Sequence, residues 1–464
     1  MGLETITVRS VFDTLVARAA VTAAVAAAAV LGGGCATVRH ARHVQRGDDI
    51  AFGERTPRAA ELGVTSHTVL TLAAAVQTSL KCQPAIAQAA QNLAAATAQA
   101  HEAMSAYLPS VNGSASYGRS TSNAEGAPTR NHSQKSYGAS LTADLLVYDF
   151  GKTPAAVRQA CEQAVAAEET LAAARNDAVF NVRSAFFNLC KAEELQGVSE
   201  QAVRQFREHL DQVKAFEEVG KRIRYDVTKA EVDLGNAQLN LITAHSDVSN
   251  ARAGLNRSLG FAEDPGYRVQ AGPAAEFAGS LTNLMDKARE NHPELRALRA
   301  RERLASAAVD QAIAALYPDL GLHGQYGGSG SRFPLIWNWS AAAQSVWNVF
   351  TGWQETWKVE EAVAQLRAAR TRVADREQQL YQELSQALNQ LESARERVGL
   401  TGLIVRQAQE SLDLINERYR VGQASAVDVT DAQVALTSAQ ADRVKARFDY
   451  ETAVAQIEHS VGEP

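Results

Sequence analysis

Four short segments of this chain alternate apolar and polar residues with a period of two, and they come in two pairs. In the first pair, Val111, Gly113, Ala115 and Tyr117 alternate with Ser110, Asn112, Ser114 and Ser116. Tyr137, Ala139, Leu141, Ala143, Leu145 and Val147 then alternate with Ser136, Gly138, Ser140, Thr142 and Asp144. In the second pair, Leu320, Leu322 and Tyr326 alternate with Asp319, His323 and Gln325. Leu335, Trp337, Trp339, Ala341, Ala343, Trp347 and Val349 alternate with Asn338, Ser340, Gln344 and Asn348. Period two puts each parity on one side of a pleated strand, so the pattern predicts two β-hairpins, over 110–147 and 319–349. Gly327-Gly328-Ser329-Gly330-Ser331 falls between two strands and lacks the Lys and helix start of a phosphate loop. It is read as a hairpin turn.

After each hairpin the period changes. From about residue 153 to 216 and from about 352 to 419, no proline interrupts the run after Pro154. Each run predicts a helix of roughly 100 Å. In the second, Val359, Leu366, Val373, Leu380, Ala387 and Ala394 recur every seven residues, interleaved with Val363, Leu384, Leu391 and Val398. That is a coiled-coil seam. Arg370 and Glu377 interrupt its second row, and the many flanking alanines permit close contact on more than one side.

The same order of elements is written twice. Pro84, Pro109 and Tyr117 recur as Pro293, Pro318 and Tyr326, each 209 positions later. Further on, Val219-Gly220, Asp226-Val227-Thr228, Leu234, Ala237-Gln238 and Gly260 recur 202 positions later, as Val421-Gly422, Asp428-Val429-Thr430, Leu436, Ala439-Gln440 and Gly462. Two constant offsets imply a duplicated unit of about 200 residues in which the second copy lost seven near the loop at 119–135. The expected organisation is a leader over 1–34, an extended arm over 35–66, a first repeat over 67–260, a linker over 261–280 and a second repeat over 281–462. Helical-hairpin tips fall at 219–225 and 421–427.

The alternating segments cannot stand alone if they meet lipid. Four strands fall short of the roughly eight that a closed transmembrane barrel requires, and lipid does not tolerate an open edge. Either several copies share one barrel or the sheet is not in a membrane. Aromatic placement favours the membrane. Trp337 and Trp347 share a parity ten residues apart, about 25 Å along the membrane normal for a tilted strand, which is the spacing of two aromatic girdles. Tyr117, Tyr137, Tyr326, Trp337, Trp339 and Trp347 are the candidate girdle residues.

Composition narrows the class. The chain is 46% apolar but only 6% aromatic, which suits long helices packed through small side chains rather than a thick aromatic core. A net charge of −6 offers no basic field for nucleic acid. Arg9 and Arg18 precede an apolar run from Ala19 to Leu31 and then Gly32-Gly33-Gly34-Cys35-Ala36, which reads as an export signal too short to span a bilayer. Small residues before Cys35 resemble a lipoprotein processing site, although Leu31 stands four residues before the cysteine where three is usual. Ordinary cleavage or an unmodified cysteine is the competing reading. Cys161 and Cys190, if on one helix, are about 40 Å apart and cannot pair, so the remaining cysteines read as small buried helix residues. The scattered histidines offer no HExxH, CxxC or nucleophile-elbow spacing, and no cofactor is expected.

The runs from Arg418-Tyr419-Arg420-Val421-Gly422 to Asp428-Val429-Thr430-Asp431-Ala432-Gln433, and from Asp226 to Leu259-Gly260, resemble the paired helix-turn-helix signatures of the outer-membrane efflux (TolC-like) family. The duplication, the Tyr-Leu-Pro and Leu-Tyr-Pro helix ends, and the Phe150-Gly151 and Phe350-Thr351-Gly352 elbows extend the likeness over about 68–462. The resemblance implies a mainly α protein with a transmembrane β-barrel contribution, in which a homotrimer pools twelve strands and twelve helical strands into an outer-membrane duct with a periplasmic tunnel. It implies a periplasmic adaptor (membrane fusion protein) and an inner-membrane transporter as partners, a lipid bilayer as surroundings, and no enzymatic turnover.

Family aperture positions match Tyr419, Asp428 and Asp431, and Asp226 holds the corresponding place in the first repeat. Ala424 stands where the family has a tethering arginine. Rings of carboxylates would attract cations. Ser425-x-x-Asp428 also reads as a capping box, which is the local alternative. Val219, Gly220, Val421 and Gly422 are the expected adaptor-docking tips. A non-transporting coiled-coil lipoprotein would account for Cys35 and the heptads but not for the hairpins or the duplication, and an adaptor would need a separate β-rich domain. Mass spectrometry of the mature N-terminus should find Cys35 diacylated; a free Ala36 or an uncleaved Met1 would overturn that expectation.

Overall fold

The computed structural model divides into two units, Met1–Pro57 and Arg58–Pro464. In the second it describes Ala59, Val64, Thr65 and residues 68–462 except 123–131, 221–222, 273–276 and 278. In the first, only Thr37, Ala41 and Val44 are described, so Cys35 lies outside the described residues.

The first half runs through strand β1 (Val69–Leu70), helices α1 (Leu72–Cys82) and α2 (Pro84–Met104), strands β2 (Ser110–Ser122) and β3 (His132–Tyr148), and helices α3 (Lys152–Glu218) and α4 (Arg224–Leu259). The second half repeats the order as β4 (Arg268–Val269), α5 (Leu281–Asn291), α6 (Pro293–Ala314), β5 (Asp319–Gly330), β6 (Ile336–Val346), α7 (Gln354–Arg420) and α8 (Ala426–Val461). Helix starts before the hairpins differ by 209 positions and those after them by 202, so the seven-residue shift falls inside the hairpin. α4 and α8 begin two residues inside the turns expected at 219–225 and 421–427.

Helices α3 and α7 each have 67 residues, roughly 100 Å of continuous helix. Each starts at an elbow with two consecutive left-handed residues, one glycine and one aromatic. These are Phe150 (φ 54°) with Gly151 (φ 100°), and Gly352 (φ 66°) with Trp353 (φ 66°). A left-handed aromatic costs about 1–3 kcal/mol, so each elbow has to be held by its surroundings.

The heptad seam is buried over the lower part of α7: Leu380, Leu384, Ala387, Leu391 and Ala394 continue through Thr401, Leu412 and Tyr419. Leu384, Ala387 and Leu391 pack with Ala453, Val454, Ile457 and Val461 of α8, Leu412 with Ala432 and Leu436, and Tyr419 with Ala426 and Val429. The residues that interrupt the seam have partners on α6 instead. Arg370 pairs with Glu302 at 3.1 Å and Glu377 with Arg299 at 3.2 Å. On its other side α6 meets α3 through Arg296–Glu169, Arg303–Glu162 at 2.9 Å and Arg158–Asp310 at 3.0 Å. These pairs recur every seven residues along α6. Each is partly exposed and contributes little alone, but their spacing fixes the register of two antiparallel helices.

Residues 261–280 do more than connect the repeats. Val69 and Leu70 pair in parallel with Arg268 and Val269. Tyr267 is fully buried, and its hydroxyl donates to Asn256 Oδ1 at 2.6 Å. Around it Phe186, Leu189, Leu255 and Leu259 belong to the largest apolar core among the described residues. Cys82 and Cys190 are buried free thiols and Cys161 is half-buried. Burial pushes the Cys190 thiol up to about 12, so it packs as a neutral side chain.

Each return helix ends on a left-handed glycine lodged against the kink between two short helices. A Cβ on Gly260 would lie 2.7 Å from the Cys82 carbonyl oxygen, and one on Gly462 would lie 2.9 Å from the His292 Cα. Glycine is required at both. His292 itself is buried, and its Nδ1 has no hydrogen-bond partner. Burial first, and the Arg376 guanidinium second, lower its pKa to about 4. A histidine with a folded pKa below its unfolded value near 6.5 favours the fold above that value, and this contribution is lost as pH falls toward 4. Urea unfolding at pH 7 and pH 4.5 should therefore show wild type losing on the order of 2 kcal/mol more than His292→Leu. Equal losses would mean that His292 is charged at no cost in the fold.

Candidate functional site

Two regions carry the features on which a function can be built, the four-stranded sheet and the helical tips. The strand order is β2-β3-β5-β6, so the second hairpin pairs with the first through β3 and β5 and leaves β2 and β6 as edges. Register puts Gly113, Leu141, Tyr326 and Trp339 in one row across the sheet, and Leu145, Leu322 and Ala343 in another. Directly opposed residues share a face. On this face Tyr117 packs on Tyr137 with centroids 5.1 Å apart, Tyr137 on Phe333 at 5.0 Å, and Tyr326 on Trp337 at 5.2 Å. Most of its side chains are nonetheless exposed, with Trp339 at 72%, while Tyr137 and Leu145 are half-buried.

The opposite face is polar and small. Ser114, Ser140, Gly327 and Asn338 form one row, and Asp144, His323 and Ala342 another. Ser114 and Ser140 hydroxyls hydrogen-bond at 2.8 Å, and His323 Nδ1 lies 2.7 Å from Asp144 Oδ1.

Three readings change here. The glycine run 327–330 is strand, with 327–329 paired on both sides and Gly330 paired with Tyr137, and the turn is 331–335. Its glycines allow close strand approach, since a Cβ on Gly327 would meet Ser140 at 2.8 Å. Trp347 lies one residue beyond β6, not in the alternation, and its Nε1 donates to the Leu316 carbonyl at 3.1 Å. Val147 is bulged out of the β3 ladder, so Tyr148 rather than Val147 opposes Leu320. This shift re-aims Tyr148 onto the apolar face.

There Tyr148 meets Phe150 at 4.8 Å, and Phe150 stacks on Tyr317 at 5.3 Å. With exposed Trp347, Phe350, Trp353 and Trp357, these residues make a second aromatic band at the junction with the helices. Strand alternation alone missed most of it. The sequence signal was the aromatic residues clustered around Phe150-Gly151 and Gly352-Trp353.

At the other end of the long helices, Gly220 (φ 73°) and Gly422 (φ 81°) turn the chain, with Val219 and Val421 exposed beside them. A Cβ on either glycine would meet nothing, so the requirement there is conformational. Leu210, Val213, Val227, Ala230, Tyr419, Ala426 and Val429 form one small core that joins both hairpins. Tyr419 is 1% exposed, its ring 5.5 Å from His209 and 5.8 Å from Phe216. It therefore lies inside the wall of a single chain.

Asp428 completes a capping box. Its Oδ2 accepts from the Ser425 N–H at 2.7 Å and from the Ser425 hydroxyl at 2.8 Å, and its own N–H donates to Ser425 Oγ at 3.2 Å. These hydrogen bonds, the backbone one first, hold its carboxyl below the usual range. Asp431 is exposed one turn further on, and Asp226 sits half-buried in the first turn of α4. A link that sequence reading did not find ties the hairpins together: Thr430 Oγ1 donates to Asp233 Oδ2 at 3.2 Å, and Lys229 pairs with Asp233 at 2.7 Å.

Among the described residues, no group of three or more His, Cys, Asp or Glu converges on a metal site. No helix among them is long and apolar enough to cross a membrane. A duplicated chain of roughly 100 Å helices capped by an outwardly apolar, open-edged sheet defines the class of channel subunits whose wall is part helix and part strand. The chain belongs to the outer membrane efflux protein family, whose model matches residues 75–261 and 284–463.

It is 25% identical to the outer membrane efflux protein BepC of Brucella suis biovar 1 over 75% of each chain. It is 23% identical to the alkaline protease secretion protein AprF of Pseudomonas aeruginosa over 77% of each. The fold is similar to that of the Campylobacter jejuni CmeC outer membrane channel, with a TM-score of 0.78 at 19% identity over 84% of this chain and 85% of that one. The protein is accordingly an outer-membrane channel with a helical periplasmic part.

If Asp428 holds the helix start, Asp428→Asn should speed amide exchange over 426–430 while Asp431→Asn leaves it unchanged. Equal effects from the two variants would contradict the capping assignment.

Proposed function

We propose that three copies of this chain close one twelve-stranded barrel and one helical tunnel, forming a passive exit duct without catalytic turnover. The carrying observation is the sheet, whose exposed face is apolar and whose edge strands β2 and β6 have open backbone groups. In lipid those groups need strand partners, and an identical neighbour supplies them edge to edge. Exposed apolar side chains on the flanking helices support the same closure. Leu400, Leu403, Ile404 and Leu414 line α7, and Val232, Leu239 and Ile242 line α4. A surface of that size on a water-facing helix calls for a partner.

Within this reading the two aromatic bands, with Tyr117, Tyr137, Tyr326, Trp337 and Trp339 in one and Trp347 in the other, mark the two membrane interfaces. The Ser, Gly, Gln and Asn face lines the pore. The tips at Val219-Gly220 and Val421-Gly422 dock on a periplasmic adaptor, which couples the duct to an inner-membrane transporter. Asp226, Asp428 and Asp431 place carboxylates around the narrow end, where they favour cations. Tyr419, buried within one chain, sets the position of α7 against α8 there. Cys35 adds a lipid anchor to a barrel that already has its own.

Leu141 and Ser140 test the assignment of faces, being neighbours on opposite sides of β3. Leu141→Arg should cost about 2–4 kcal/mol and reduce assembly, while Ser140→Arg assembles and alters conductance. Planar-bilayer recording of the purified protein reads both. Equal tolerance at the two positions would refute the register, and the lack of any conductance from wild type would refute the duct.

A further inference from the structure

One row of the sheet's polar face carries a carboxylate and an imidazole side by side. Asp144 on β3 and His323 on β5 are register partners, and His323 Nδ1 lies 2.7 Å from Asp144 Oδ1. An ionised carboxylate can only accept, so Nδ1 carries the donated hydrogen and a second proton goes to Nε2. Both side chains meet water, Asp144 at 51% exposure and His323 at 40%. The carboxylate therefore stands in the wall beside a partner that is either neutral or cationic.

The immediate neighbours are uncharged. Ser110 lies beyond Asp144 on β2, and Ala342 lies beyond His323 on β6. The next rows along β3 and β5 are Thr142 with Gln325 and Leu146 with Gly321. The 105–107 turn, which packs on β3, contributes one phenol, Tyr107. Two further carboxylates stand toward the helices, and both are engaged. Asp319, four residues along β5 from His323, pairs with Lys152 at 2.7 Å, and buried Asp149 accepts from the Gly151 and Thr153 N–H groups. His132, the other histidine of the strands, is the register partner of Ser122 at the far end of β3, twelve residues from Asp144.

Histidine is the side chain whose charge changes between about pH 5 and 8, a range over which an ordinary aspartate stays ionised. The pair accordingly carries one negative charge above that range and none below it. We infer that Asp144 and His323 set the ion preference of the barrel, the carboxylate favouring cations until the protonated imidazole cancels it. The inference rests on the proposed function, which makes this face the pore wall and repeats the pair in three copies around it. Screening fixes where the ring matters. At about 10 mM salt the Debye length is about 30 Å and at 1 M about 3 Å, so the ring acts well out into the lumen only in dilute salt.

The test is the reversal potential of the full-length protein in planar bilayers under a KCl gradient, at pH 8 and pH 5.5, in dilute and in molar salt. In dilute salt the K+ to Cl− permeability ratio of wild type should fall at least about twofold from pH 8 to pH 5.5, and in molar salt the fall should vanish. His323→Gln should keep the high-pH ratio at both values, and His323→Lys the low-pH ratio at both. His132 and the carboxylates at the tips are the same in all three proteins and cancel in the comparison. A pH response in either variant equal to that of wild type, or none in wild type, would overturn the inference. So would variants that lose stability while their ratios still follow wild type, the result expected if the pair only ties β3 to β5. Each variant is decisive alone, which covers the failure of one to assemble. A conducting wild type whose preference ignores pH overturns this ring and leaves the duct standing, and a wild type that never conducts overturns both.

Discussion

Backbone hydrogen bonding at the edges of a four-stranded sheet governs most of this structure. In water an open edge is a nuisance that charged or short strands can blunt, whereas in hydrocarbon each unmade backbone bond costs several kcal/mol. β2 has 13 residues and β6 has 11, long edges with no proline and no bulge in them. Such edges are built to be paired. In the proposed assembly, where further copies of the same sheet seal the edges, the apolar face, the small polar face and the aromatic bands serve one purpose.

The helices answer to the same requirement by a different route. A wall of helices needs each member to touch neighbours on two flanks, which explains why α3 buries residues on several sides and why alanine is so frequent. α3 and α7 change partners part way along. Their upper lengths pack on α6 through ion pairs at seven-residue intervals, and their lower lengths on α4 and α8 through apolar seams. The core around Tyr267 and the glycine-lodged kinks at Gly260 and Gly462 sit near that changeover. At the tips the two hairpins are joined by one small core and by the Thr430–Asp233 and Gln433–Gln205 hydrogen bonds, a much smaller contact than the core around Tyr267.

Much of this was legible because it is periodic. Alternation along Tyr137 to Leu145, the heptads from Leu380 to Ala394 and the doubled Val-Gly tips are local patterns, set respectively by the two faces of a strand, the seam of a helix pair and the left-handed glycine of a turn. What escaped belongs to pairs of segments. A bulge at Val147 exists only relative to β5, so nothing within β3 told that Tyr148 would join Phe150 and Tyr317. The end of β6 at Val346 depends on where its antiparallel partner β5 starts, at Asp319, which left Trp347 just outside the ladder. Residues 261–280 read as a linker because the stretch is rich in Gly and Pro, yet Tyr267 within them is fully buried. At the tips, a matching motif marked Tyr419 and Asp428 but could not distinguish a pore-lining position from a buried ring or a helix cap.

Amide hydrogen exchange of the assembled protein in a membrane tests the account at its centre, strand by strand. If identical neighbours seal the sheet, the amides of β2 and β6 that point away from β3 and β5 should be protected as strongly as those between β3 and β5. Fast exchange along both outer edges, with the β3–β5 ladder protected, would mean that the sheet stays open and that no shared barrel exists.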